Sequence, residues 1–112
     1  MGIGLIMNSH TPVNDEALAE LGALAARLVA IAQPLAVTPG DAYDAAIAIE
    51  RTTGFSKRSR ALQAIATANA EIYRARESAG GGMSRETVPY RMRMALGAVN
   101  EAAMAVEAIN EP

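Results

Sequence analysis

The stretch VNDEALAELGALAARLVAIAQ, residues 13–33, closed by Pro34, decides the fold. Leu21, Leu24, Leu28 and Ile31 recur at spacings of three and four, and Ala17 extends the stripe backward. That is the period of a helix face, not the alternation of a strand. Asn14, Asp15 and Glu16 fall in the first turn, where negative charge suits the positive end of the helix dipole. Pro34 lacks an amide hydrogen and ends or kinks the helix. A second stripe, Ala19, Ala23, Ala26 and Ala30, follows the same spacing on roughly the opposite side. The helix therefore carries two apolar faces, one of large residues and one of alanine.

Working outward, the same period predicts three further helices, over about 39–53, 56–78 and 86–110. Thr38 is a natural N-cap, Pro39 suits the first helical position, and Asp41 at the third resembles a capping box. Tyr43, Ala46 and Ile47 are the expected buried stripe of this helix, and Gly54 can close it in the left-handed conformation. The third helix has the stripe Leu62, Ile65, Asn69, Ile72 and Arg76. Asn69 either lies at the edge of that stripe or is buried and sets register through hydrogen bonds. Gly80-Gly81-Gly82 breaks the chain and reads as a hinge of high ordering entropy. The fourth helix starts between Arg85 and Pro89, capped by Ser84 or Thr87. It has one stripe of Met92, Leu96, Val99, Ala103 and Val106 and another of Ala95, Ala98, Ala102, Ala105 and Ile109. No segment alternates like a strand. The expectation is an all-α, four-helix bundle-like domain over residues 12–112, after a loosely ordered tail of residues 1–11.

At 112 residues, one domain is the default. Hydrophobic residues make up 51% and aromatics 4%, and 25 residues are alanine. Cysteine is absent and His10 is the single histidine, which excludes disulfides and thiolate metal sites and speaks against a zinc or His-based centre. No run reads as a membrane span, since the longest apolar stretch, around Leu28–Val37, contains Gln33 and Pro34. The start lacks the basic region of a secretory signal, so the chain reads as cytoplasmic.

The net charge of −2 hides an uneven distribution: −5 over residues 1–50, +6 over 51–93 and −3 over 94–112. Such a chain satisfies itself on folding or pairing, or else turns a basic face to an anionic partner. Lys57, Arg58 and Arg60 sit near the start of a helix, against its dipole, which calls for compensation by an internal acid such as Glu50, by nucleic-acid phosphate, or by an acidic protein surface. Aligned as a helix–turn–helix on Gly54, the segment puts Glu50 where a small residue is wanted and Arg60 and Gln63 where apolar ones are. The pI near 5.3 also argues against DNA. The carboxylate pairs Glu16/Glu20 and Asp41/Asp44 sit near helix starts and have no histidine beside them, so they read as dipole partners. The glycine run lacks a Gly-Lys-Ser/Thr ending and a preceding strand, so it is no phosphate cradle. The chain reads as non-enzymatic, with no cofactor and no metal.

The alanine faces of the first and fourth helices are either no more than stable helix surface, alanine having the best helix propensity, or apolar area beyond what one small chain can bury. The expectation is a homodimer packed through alanine-rich faces, with Ala19, Ala23, Ala26, Ala30, Ala95, Ala98 and Ala102 at the seam. Phe55, Tyr90, Arg91 and Met94, with Lys57, Arg58 and Arg60, have an interface composition and are the expected protein-partner residues. The alternative is a small nucleic-acid-binding regulator using the basic segment 57–93. The two separate on whether Lys57, Arg58, Arg60, Arg74, Arg76, Arg91 and Arg93 converge on one uncovered face. Over residues 13–110, this small, cysteine-free, alanine-rich helical organisation resembles the antiactivators of LuxR-type quorum-sensing transcription factors. That resemblance implies non-enzymatic inhibition, by masking the regulator's dimerisation or DNA-binding surface. It carries no motif and assigns no residue. Phage-encoded inhibitors of bacterial defence share the same gross features.

Overall fold

The computed structural model describes residues 14–82 and 87–111, and everything structural below refers to these. The expected tail with His10, and the cap at Ser84, lie outside them.

Four α-helices form: α1 (Asp15–Ala32), α2 (Ala42–Thr53), α3 (Lys57–Glu77) and α4 (Thr87–Ala108), with no strand among the described residues. The start and stop signals act as the residues dictate. Asn14 caps α1, its side chain accepting from the Ala17 amide at 3.0 Å. Pro34 converts the end of α1 into a 3-10 turn, Gln33–Leu35, and Ala36 takes a left-handed conformation after it. Thr38 accepts from the Asp41 amide and donates to the Asp41 carboxylate, opening the 3-10 turn Pro39–Asp41 that feeds α2. Gly54, at φ 80°, closes α2. Ser56 and Ser59 form a reciprocal capping box at the start of α3: each backbone amide donates to the other's hydroxyl. After α3 the chain makes a π-type turn, Ser78–Gly82, with Gly81 at φ 100°.

The directions follow from contacts at the ends. The Asn14 amide bonds the Ala79 carbonyl, and Arg58 reaches the Leu35 carbonyl, so α1 runs antiparallel to α3. Lys57 reaches the Glu111 carbonyl, so α4 does too. Gln63 donates to the Glu50 carboxylate across the α2–α3 hairpin. α3 thus has its three neighbours running against it. α1, α3 and α4 pack on one another, whereas α2 packs chiefly on α3.

The core is Leu21 and Leu28 of α1, Leu62, Ile65 and Ile72 of α3, and Val99 of α4, set among buried alanines. Those alanines change two expectations. In α2, Ala42 and Ala46 face the core, while Tyr43 is 59% exposed and Ile47 only half-buried. In α3, Asn69 and Arg76 are exposed, and Ala61, Ala68 and Ala75 fill the face between the large residues. Asn69 is therefore an edge residue. The expectation that no run suits a membrane also needs correction. Asp15–Leu35 contains an 18-residue window of mean hydropathy 1.4, long and apolar enough to cross one, because alanine counts as apolar and only two charges interrupt it. Here Leu21 and Leu28 anchor it to the core, yet only 22% of the window is buried.

Candidate functional site

The start of α3 resolves its charge conflict internally. Because α3 is antiparallel to α1 and α4, its N-terminus lies beside their C-terminal carbonyls, the negative ends of their dipoles. Lys57 Nζ donates to the Glu111 carbonyl at 2.8 Å and Arg58 Nη2 to the Leu35 carbonyl at 3.1 Å. Arg60 remains exposed. Phe55, in the tight α2–α3 turn, is 76% exposed and packs no bundle end.

The other expected partner residues sit at the far end. Tyr90 to Glu111 spans 21 residues, roughly 30 Å of mostly helical chain. Phe55, Lys57, Arg58 and Arg60 therefore form one group, and Tyr90, Arg91 and Met94 another. The basic residues divide likewise: Arg74, Arg76, Arg91 and Arg93 lie toward the Tyr90 end, roughly 25 Å along α3 from Lys57. The seven cations do not converge on one face.

Beside Met94, one turn beyond Tyr90, the structure builds a cleft that the sequence did not locate. Thr67 and Glu71 of α3 and Arg93, Met94, Gly97, Ala98 and Glu101 of α4 line about 290 Å³ between the two helices. Gly97 and Ala98 keep the α4 wall low. Glu71 is buried, with Arg74 Nη1 at 3.3 Å from one carboxylate oxygen and Arg91 Nη1 at 4.0 Å from the other. That second oxygen is buried without a hydrogen bond. Arg91 also stands over the Tyr90 ring, 5.7 Å from its centroid. Glu71 was missed because α3 holds only two acids, Glu71 and Glu77, among apolar and basic residues, and they form no pattern to read.

The seam residues divide by helix. Ala19, Ala23, Ala26 and Ala30 are all exposed on α1. Ala95 and Ala102 are completely buried in the chain's own core and Ala98 is half-buried, so the alanine stripe of α4 is not available to a seam. The reason is close packing. α3 and α4 approach through small side chains, which rolls Leu96, from the large stripe, out to 47% exposure. Leu96 then joins Met92 and Arg93 of α4 and Glu20, Ala23, Leu24 and Arg27 of α1 in an apolar groove of about 360 Å³. A third depression, about 440 Å³, lies beside Tyr43 and Tyr73, both exposed, where α2 stops short of the end of α3.

Among the described residues, no three His, Asp or Glu side chains come together to hold a metal. Compared with known proteins, the chain matches no family model, no curated protein and no solved structure.

Proposed function

We propose that the protein is a non-enzymatic regulator that binds and blocks another polypeptide through the α3–α4 cleft, in the manner of an antiactivator masking a bacterial transcription regulator in the cytoplasm. The observation that carries the reading is the Tyr90–Met94 end. There, exposed Met94 lines the cleft, exposed Tyr90 stands one turn before it on α4, and buried Glu71 contributes to the opposite wall. Tyrosine, arginine and methionine are the residues in which binding energy concentrates at interfaces, and methionine adapts to an irregular partner. A homodimer packed through an alanine-rich face belongs to the same reading, with α1 as the seam helix. The nucleic-acid alternative loses ground because two cations of its footprint cap carbonyls of the chain itself and the rest lie at the other end of α3.

The test is affinity capture from the native host with quantitative mass spectrometry. A stoichiometric protein should be retained by the wild type, lost at least tenfold by Met94→Asp and Tyr90→Ala, and kept by Phe55→Ala at the remote end. Retention of DNA with steep salt dependence, and no stoichiometric protein, would reverse the reading.

A further inference from the structure

The groove between α1 and α4 continues from Asn14, Val88 and Pro89 to Arg27 and Leu96, since its two halves share Glu20 and Met92. It borders the exposed ridge Ala19, Ala23, Ala26 and Ala30. Glu20 and Arg27 stand on one flank of that ridge, seven residues and about 10 Å apart. Among the described residues the ion pairs are both made by Glu71, so neither of these charges is paired with another described residue.

We infer that this groove seats α1 of a second copy, antiparallel across a two-fold axis that passes between Ala23 and Leu24. The inference deepens the dimer part of the proposed function and rests on it. Charge complementarity selects the occupant and its direction. With the axis midway between Glu20 and Arg27, each Glu20 faces Arg27 of the other copy, and both pairs form at once. A parallel two-fold pair sets every residue of α1 level with its own copy, so that along the two α1 helices neither charge has an opposite partner at its height, although Arg93 of α4 also lines the groove. The small ridge lets the two α1 helices approach closely, as small side chains do wherever helices pack at short range. A stable pair buries about 800 Å² on each partner, more than one helix stripe presents. Met92 and Leu96 of α4 complete the face, where the groove already places them.

Sedimentation equilibrium over a wide concentration range tests the pairing. Wild type should form a dimer. Glu20→Arg and Arg27→Glu, each helical by circular dichroism, should raise the dimer dissociation constant roughly tenfold or more, and the double reversal should bring it back toward the wild-type value. Because the chain has no cysteine, single thiols report the direction. Ala23→Cys, beside the axis, should cross-link on mild oxidation. Ala30→Cys, roughly 20 Å from its mate in the antiparallel pair, should not. A monomer at high concentration, single reversals without effect, or equal cross-linking at both positions would overturn the inference. Repeating the affinity capture with Glu20→Arg separates the two readings: capture that survives loss of the dimer leaves the cleft proposal standing without this one.

Discussion

Glu71 is the residue at which the chain departs most from an apolar interior. It sits on the helix that touches every other, with one carboxylate oxygen toward Arg74 and the other toward Arg91 on α4. The pair with Arg74 is between neighbours on one helix, and the Arg74 side chain is half-exposed, so screening leaves it a small contribution. The contact to Arg91 ties two helices together, but at 4.0 Å it is a loose one. Burying a carboxylate with an unsatisfied oxygen costs free energy that these contacts do not fully offset. Two substitutions therefore diverge. Glu71→Ala leaves a void between α3 and α4 and two arginines without their acid, and should lower stability by about 1–2 kcal/mol in urea unfolding. Glu71→Leu fills the same space without a desolvated charge, and should be no less stable than wild type. If the leucine variant were less stable than wild type, the carboxylate would be a net structural asset.

At the scale of elements, the buried alanines decide how the helices meet. Ala61, Ala68, Ala75, Ala95 and Ala102 are all at most 1% exposed, which brings α3 and α4 together along small faces. Ala68→Leu adds volume where there is none to spare and should cost roughly 1–3 kcal/mol, read from the urea midpoint at unchanged slope. Ala48→Leu, on the exposed side of α2, should stay within about 0.5 kcal/mol of wild type. The same alanines set the limit of what could be read beforehand. Helix existence and ends were legible, because Thr38-Pro39, Pro34, Gly54 and Ser56 act through local backbone chemistry that needs no partner. The buried face of α1 was legible because only one stripe holds leucine. In α4 the periodicity offered two apolar stripes and hydropathy favoured the bulkier one, with Leu96; in α2 the single stripe held Ala46, which is buried, but also Tyr43, which is not. Close approach of helices reversed that choice, and such approach is a property of two elements together. The interface residues suffered the same way: Phe55 and Tyr90 were each recognisable, but their separation depends on the length and direction of α3 and α4.

For the whole molecule, the antiparallel surroundings of α3 explain why an acidic–basic–acidic chain is self-consistent. The basic start of α3 meets the carbonyl ends of α1 and α4, and the net charge stays near zero at −2. What the fold does not settle internally is the outer face of α1, apolar over most of its length and bearing the opposite charges of Glu20 and Arg27 without mates among the described residues. If a second copy covers it, unfolding is coupled to dissociation, and stability must depend on concentration. A tenfold rise in protein contributes about 1.4 kcal/mol per dimer. With an unfolding entropy of about 2.1 cal/mol/K per residue over two chains, that raises Tm by about 3 °C. Calorimetry across two decades of concentration should therefore show a shift of about 6 °C for wild type. Glu20→Arg should flatten the dependence over the range where it no longer dimerises, and the double reversal with Arg27→Glu should restore the slope. A wild-type Tm that stays fixed across that range means α1 faces solvent or a different partner. In that case its apolar window becomes a surface for something other than a second copy, and the Glu20 and Arg27 pair loses the role assigned to it.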